Sequence, residues 1–212
     1  MYDALLFDLD GTLIDTESVA MTSGLAAFAS VGYAVETEFM HRLVGIDQPT
    51  AGGIIRNHLP GIDLAALNLA WGAGFRAGVD RGLALKAGTF ELLAAAPVHL
   101  HRAVVTSSGR VDAHHKIGLA GLAPSFATVV TVDDVTFAKP NPEPYLLAAR
   151  LLGVDPARCL VFEDSETGAE AAHRAGCVVV QVPDVVPSQG KWAHHMAGDL
   201  MSGARLAGLF GA

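Results

Sequence analysis

The stretch that most constrains the fold covers residues 4–16 and reads ALLFDLDGTLIDT. It opens with a short apolar run, and such a run followed by a turn is typical of a strand buried on both faces of a parallel sheet. Asp8 then falls at the carboxyl end of the strand. Open α/β sheets bind their ligands outside this end of their strands. We therefore expect a functional site to begin at Asp8.

Two carboxylates follow the apolar run one residue apart, at Asp8 and Asp10. Alternate residues of an extended segment point the same way, and two neighbouring carboxylates repel unless a cation or a proton lies between them. This spacing favours a divalent metal site. The alternative is that Asp10-Gly11 is only a turn and Asp8 only a cap, which would be preferred for an isolated Asp-Gly pair. The rest of the chain has to decide between the two.

The composition of the chain limits the fold class and the cellular location that we expect. The chain has 212 residues, 51% of them hydrophobic, which suits one α/β core with a modest insertion. No apolar run approaches the roughly 20 residues of a membrane span, and the sequence shows no signal-peptide pattern. We expect a cytoplasmic protein without a membrane partner. Cys159 and Cys177 each begin an apolar run, which predicts buried core thiols, with a disulfide between them as the less favoured alternative.

The charge of the chain argues against nucleic acid as a partner. The formal net charge is −8, and lysine and arginine form no cluster, whereas a nucleic-acid-binding domain carries a basic surface. An anionic substrate remains compatible with this charge. A phosphate site needs only one cation, a metal ion and a few directed amides.

The region after the first strand predicts a separate helical unit. Residues 16–83 contain no convincing strand, and we interpret them as a small cap domain. Residues 1–15 and 84–212 would then form the core. The two crossings, near residues 14–16 and 81–86, are the expected hinges. Helices are predicted at residues 17–31, 38–44, 50–58 and 63–79.

From Gly88 onward helical and strand patterns alternate. Alternation of this kind implies right-handed crossovers and a doubly wound parallel sheet, that is, a Rossmann-like α/β core. Predicted strands cover residues 102–106, 127–132, 159–162 and 178–182. Predicted helices cover residues 88–95, 111–119, 143–152, 167–175 and 202–209.

Polar residues of complementary kinds stand at or near the strand ends. They are the acids Asp8 and Asp10, the hydroxyls of residues 106–108, the isolated cation Lys139, and the acids of residues 163–164. Parallel strands bring their ends together, so we expect these residues in one crevice. A carboxylate can attack phosphorus, several acids suit Mg²⁺, and a lysine with hydroxyl and amide donors can hold phosphoryl oxygens. The set therefore indicates phosphoryl transfer.

At this point the sequence resembles a known family. The segments DLDGTLIDTE, VVTSSG, the pair Lys139-Pro140, and FEDSETG resemble the four motifs of the haloacid dehalogenase-like superfamily, in order and spacing, over nearly the whole chain. The helical insert directly after the first motif is similar to the branch that contains sugar-phosphate phosphatases and β-phosphoglucomutase.

The resemblance implies roles for the two aspartates. Asp8 would be the nucleophile, and Asp10 would protonate the leaving oxygen and then activate water against the aspartyl-phosphate. The dehalogenating relatives lack the second acid, because a halide leaves without a proton. Asp10 therefore favours a phosphatase or a mutase. The mutase carries a histidine on its first cap helix where this chain has Ala20, which weakens the mutase alternative.

The resemblance also implies a metal site and a phosphate site. Mg²⁺ would be held by Asp8, the backbone carbonyl of Asp10, and Asp164, with Glu163 near or among the ligands and Ser165 supporting the metal loop. The phosphoryl oxygens would bind Thr106, the amide of Ser107, and Lys139.

Substrate choice is expected to depend on the cap. The candidate specificity residues are Gly45, Ile46, Asp47 and Gln48, together with the cationic Arg76. The alternative is that the turn at residues 45–49 merely connects two helices.

The favoured hypothesis is an Mg²⁺-dependent phosphatase that acts on a small phosphorylated metabolite, with a sugar or polyol phosphate preferred. A phosphosugar mutase and a non-catalytic binding protein of the same fold are the alternatives. The intact set of candidate catalytic residues argues against the binding protein. We expect a monomer or a weak homodimer.

Overall fold

A computed structural model describes residues 1–43 and 48–211 of the chain. The chain divides into two compact units. The larger combines Met1–Asp15 with Ala84–Ala212, and the smaller is Thr16–Leu83.

The larger unit is built on a six-stranded sheet in the order β3-β2-β1-β4-β5-β6. Every neighbouring pair in it is parallel. The predicted α/β fold with a parallel sheet is thus confirmed. The strands are β1 (Ala4–Phe7), β2 (His101–Val105), β3 (Thr128–Val130), β4 (Cys159–Glu163), β5 (Val178–Gln181) and β6 (His195–Met196).

The two central strands, β1 and β4, are buried along their whole length. Both are continuous apolar runs up to the point where acids follow, as expected for strands covered on both faces. Phe7 and Phe162 stack across the pair with ring centroids 5.1 Å apart. The last residues of these strands are in register, so Asp8 and Glu163 emerge at the same edge of the sheet.

Helices of the larger unit connect the strands. Helix α7 (Glu143–Leu152) begins directly after Pro142 and is followed by Gly153, whose φ is +70°, so both of its predicted bounds are correct. Cys159 and Cys177 are buried free thiols, as predicted. The helices are α5 (Thr89–Ala95), α6 (Arg110–Leu119), α7 (Glu143–Leu152), α8 (Glu166–Arg174) and α9 (Leu200–Leu206).

Three differences between the predicted and the observed core have a clear physical reason. The strand expected at residues 127–132 is only β3, because Thr131 and Asp134 cap a short helical turn at Val132–Asp134. Strand β6 was missed, since its two residues carry no apolar alternation. The last helix covers Leu200–Leu206 and not residues 202–209. It begins at Leu200 because Asp199 caps it by accepting from the backbone N–H of Ser202.

The smaller unit contains helices and no strand among its described residues. Helices α1 (Glu17–Ser30) and α4 (Leu64–Asp80) pack closely at Gly78 of α4, which has no side chain. A Cβ on Gly78 would lie only 2.5 Å from Cγ1 of Val19 in α1. Trp71 Nε1 also donates to the carbonyl of Ala20, at 3.0 Å. Helix α3 begins at Gln48 rather than residue 50, and α2 ends earlier than predicted. The helices are α1 (Glu17–Ser30), α2 (Thr37–His41), α3 (Gln48–His58) and α4 (Leu64–Asp80).

Residues 13–15 and 84–86, which lie next to the two points where the chain passes between the units, pair with each other inside the larger unit. Ile14 and Leu85 form an antiparallel bridge. The N–H of Asp15 donates to the carbonyl of Ala84 at 2.9 Å, and that of Lys86 to the carbonyl of Leu13 at 3.0 Å. Within the part of the chain that is described, no helix is long and apolar enough to cross a membrane.

Candidate active site

The site begins with the sharp turn that follows β1. Gly11 has a φ of +83°, a conformation that glycine adopts without the cost of a Cβ. A Cβ at this position would lie 2.6 Å from Oδ2 of Asp164. Glycine is therefore required both by the backbone and by the close approach of the Asp164 carboxylate.

Lys139 forms hydrogen bonds with two acids of the site, Asp8 and Glu163. Its Nζ donates to Oδ1 of Asp8 at 2.7 Å, to Oε1 of Glu163 at 2.6 Å, and to the carbonyl of Val105 at 2.8 Å. Its side chain is only 4% exposed. The three acceptors match the three protons of an ammonium group, so the buried charge is fully satisfied.

The Glu163 carboxylate is held by further donors. Tyr145, which is fully buried, donates from Oη to Oε1 at 2.6 Å, and Ser165 Oγ donates to Oε2 at 3.2 Å. Ser165 also caps α8 by accepting from the N–H of Gly168 at 3.0 Å. A single acid thus fixes the lysine, the tyrosine and the loop that carries Asp164.

Burial dominates the electrostatics of the acids. It raises the pKa of Asp8 well above the ordinary range, Lys139 opposes this shift, and Glu163 and Asp164 add to it. Burial also raises the pKa of Asp164 to about 7, with Glu163 as the second cause. For Lys139, burial lowers the pKa, but the charges of Asp8 and Glu163 outweigh it and the pKa is raised. Lys139 is therefore a permanent cation.

The acids fit a divalent cation. Asp8, Glu163 and Asp164 each offer an oxygen within 4.8 Å of the other two. After burial, repulsion from the neighbouring acids also raises the pKa of Asp8 and of Asp164, and a bound cation would relieve this repulsion. Hard oxygen donors of this kind suit Mg²⁺. Thr12 and Gln181 hold Asp164, through its Oδ1 and its backbone carbonyl respectively.

A second lysine, which sequence analysis missed, binds the second aspartate. Lys116 Nζ donates to Oδ1 of Asp10 at 2.6 Å, to Oδ2 at 2.8 Å, and to Ser108 Oγ at 2.7 Å. Lys116 lies inside α6 and not at a strand end, where parallel sheets bind their ligands. The available signal was its position on the same helix face as the buried Ala113 and Ile117, which is unusual for a lysine.

Comparison with known proteins identifies the family of the chain. A family model described as haloacid dehalogenase-like hydrolase matches residues 2–176. The chain belongs to this family. Among its relatives are two Escherichia coli proteins: fructose-1-phosphate phosphatase YqaB, 33% identical over 85% of this chain and 96% of that protein, and hexitol phosphatase A, 32% identical over 84% and 81%.

A solved structure gives the same relationship. The haloacid dehalogenase family hydrolase from Deinococcus radiodurans R1, with bound phosphate and sodium, superposes with a TM-score of 0.85 at 25% identity and covers 100% of this chain and 99% of that one. Family membership and relatives named as phosphatases make the chain a hydrolase of the phosphatase type.

The haloacid dehalogenase-like site brings most of the predicted residues to one edge of the sheet. Thr106 is buried directly after β2, and its Oγ1 accepts from the N–H of Ser108 at 3.0 Å. Ser107 is exposed beside it. Asp133 and Asp134 serve structural contacts, since both accept hydrogen bonds from Arg110.

The predicted cap residues have a different status. Arg76 is exposed on α4 in the smaller unit. Gln48 is the first residue of α3. Gly45, Ile46 and Asp47 lie outside the described residues.

Proposed function

We propose that the chain is an Mg²⁺-dependent phosphatase that hydrolyses a small sugar or polyol phosphate through an aspartyl-phosphate on Asp8. The observation that carries this proposal is the position of Asp8, which contacts the buried ammonium of Lys139 and belongs to the acid cluster with Glu163 and Asp164. Relatives named for fructose 1-phosphate and hexitol phosphates support the substrate class.

In the first step an Asp8 oxygen attacks the phosphorus, the bond from phosphorus to the leaving oxygen breaks, and Asp10 gives that oxygen its proton. Lys139, 2.7 Å from Asp8, reduces the repulsion between the carboxylate and the anionic phosphoryl group. Thr106 and the amide of Ser107 hold the non-bridging oxygens. The charge and placement of each group support these roles.

In the second step water attacks the same phosphorus, Asp10 accepts a proton from the water, and the bond to the Asp8 oxygen breaks. Both aspartates return to their starting forms, and the sum of the steps is hydrolysis of the ester. Asp10 therefore acts once as an acid and once as a base, which requires a defined position for its carboxylate.

Asp8, Asp164 and the backbone carbonyl of Asp10 would hold Mg²⁺, which supplies positive charge to the phosphoryl group when bound. Glu163 contributes mainly through Lys139, because donors from Lys139, Tyr145 and Ser165 already engage both of its oxygens.

We further propose that Thr16–Leu83 acts as the cap and that Arg76 and residues 45–48 select the leaving group. The helical composition of this unit and the exposed cation on α4 support this role. Cytoplasmic location and a monomeric or weakly dimeric state stay predictions.

The test is phosphate release from a panel of fructose 1-phosphate, hexitol phosphates, glucose phosphates, phosphoglycolate and nucleotides, with Mg²⁺ or with EDTA. We expect selective, Mg²⁺-dependent release that Asp10→Ala lowers by about 100- to 10,000-fold and that Asp112→Ala, which removes an exposed acid on α6, leaves unchanged. Release in EDTA, or equal release by Asp10→Ala, would contradict the mechanism. Isomerisation that needs a bisphosphate primer, without net release, would favour the mutase.

A further inference from the structure

Lys116 is a buried lysine that the proposed chemistry does not yet use. Its side chain is 7% exposed, and lysine is almost never buried to this extent unless it is paired. The three protons of its ammonium meet three acceptors, which are the two Asp10 oxygens and Ser108 Oγ. The lysine is therefore directed at the Asp10 carboxylate and does not merely fill space in the core.

Ser108 closes the arrangement. Its Oγ donates to Oδ2 of Asp10 at 2.7 Å, while it accepts from Lys116 at 2.7 Å. Lys116, Ser108 and Asp10 thus form a closed triangle of hydrogen bonds. Residues from two segments, the loop after β2 and helix α6, fix one carboxylate.

This triangle is separate from the contacts of the other lysine. Lys139 binds Asp8 and Glu163, whereas Lys116 binds Asp10. Each of the two aspartates has its own buried ammonium, although only one residue separates them in the sequence.

The triangle also limits how Asp10 can exchange a proton. A carboxylate offers about four lone-pair positions. Lys116 and Ser108 together take two on Oδ2 and one on Oδ1. These two residues leave one position, on Oδ1.

We propose that Lys116, with Ser108, is a positioning residue that holds the Asp10 carboxylate so that the position they leave on Oδ1 exchanges protons with the leaving oxygen and with water. This inference rests on the proposed phosphatase function. Asp10 needs such an anchor, because it follows the strand on a turn and its side chain is 28% exposed. A misplacement of about 1 Å can lower a rate by about 100-fold.

The experiment compares Lys116→Met, Asp10→Ala and the double variant, with p-nitrophenyl phosphate and Mg²⁺ as the assay. If Lys116 acts through Asp10, Lys116→Met lowers kcat by about 10- to 100-fold with little change in KM. The same substitution then causes no further loss in the Asp10→Ala background. Lys116→Arg, which keeps the charge, recovers part of the rate.

Two controls separate positioning from a structural role. Lys191→Met removes a lysine that contacts Trp192 and leaves kcat unchanged. If Lys116→Met fails to fold, Ser108→Ala replaces it and is expected to lower kcat in the same Asp10-dependent way.

The outcomes are distinct. An active wild type whose kcat is unaffected by Lys116→Met, or a loss that multiplies with that of Asp10→Ala, overturns this inference alone. A wild type that releases no phosphate from p-nitrophenyl phosphate or from any member of the panel overturns the proposed function and this inference together.

Discussion

Lys139 donates a hydrogen bond of 2.7 Å to Oδ1 of Asp8 across 131 residues of sequence. Both side chains are almost completely removed from solvent, with 4% and 10% exposed. The pair couples the candidate nucleophile to a buried cation that offsets its charge as it approaches a phosphate. Stability and activity should therefore change together when this pair is altered.

We first predict the effect of Lys139→Met. The substitution leaves Asp8 and Glu163 buried without their shared cation, and removing one partner of a buried ion pair costs about 3–5 kcal/mol. The free energy of unfolding, measured by urea denaturation without metal, should fall by this amount and phosphate release should be lost. Lys191→Met serves as the control and should do neither. Wild-type stability in Lys139→Met would contradict the importance of the pair.

Tyr145→Phe tests the buried tyrosine. The substitution removes the 2.6 Å hydrogen bond from Oη to Glu163 but keeps the ring in the core. Hydrogen bonds to charged groups contribute about 1.5–3 kcal/mol, so the free energy of unfolding should fall within this range. Urea denaturation at neutral pH measures it. A change of less than about 0.5 kcal/mol would show that Glu163 does not depend on this donor.

Two helical glycines give a matched pair of substitutions. A Cβ on Gly168 in α8 would lie 1.8 Å from Oε1 of Glu163, whereas a Cβ on Gly118 in α6 would meet no described atom within 4 Å. Gly168→Ala should cost at least about 1–3 kcal/mol of unfolding free energy because the helix has to move. Gly118→Ala should add roughly 0.5–1 kcal/mol because alanine favours helix. Similar thermal midpoints for the two variants would contradict this packing.

The pKa of Asp164 predicts a pH dependence. It is raised from 3.8 to about 7 in the folded, metal-free protein, so the folded state binds this proton more tightly than the unfolded state. Its contribution to stability is complete below about 4 and is lost as the pH rises through about 7. Metal-free wild type should therefore lose more stability than Asp164→Asn over this range, as measured by thermal unfolding.

The affinity for Mg²⁺ should rise with pH, whereas the stability contribution of Asp164 falls with pH. A ligand carboxylate has to be ionised, so the affinity for Mg²⁺ should increase as the pH rises through about 7, where Asp164 ionises. Isothermal titration with MgCl₂ measures this without any assay of activity. An affinity that does not change with pH, or unchanged binding by Asp164→Asn, would remove Asp164 from the metal site.

Much of the core could be predicted from the sequence because burial in a parallel sheet leaves continuous apolar runs. Strands β1 and β4 were visible for this reason, and Asp8 and Glu163 could be placed at their ends. Helix α7 was equally clear, since a proline precedes it and Gly153 follows it. In these cases the local sequence and the tertiary environment agree.

The features that were missed depend on contacts that are distant in sequence. The hydrogen bond from Lys116 to Asp10 joins residues 106 positions apart. It forms only because the fold orients α6 with Lys116 facing Asp10. Tyr145 likewise reaches Glu163 only after α7 packs on the sheet. Strand β6 is paired through two residues with β5, which is too short to leave a periodic pattern.

The central claim is that Asp8 is the nucleophile, and trapping the intermediate tests it most directly. The enzyme would be quenched with acid during turnover of p-nitrophenyl phosphate with Mg²⁺, and the peptides analysed by mass spectrometry. We predict one added phosphoryl group on the peptide that contains Asp8, and its absence in Asp8→Asn together with loss of turnover. Phosphate release by Asp8→Asn at the wild-type rate, or turnover with the label on another residue, would contradict the claim.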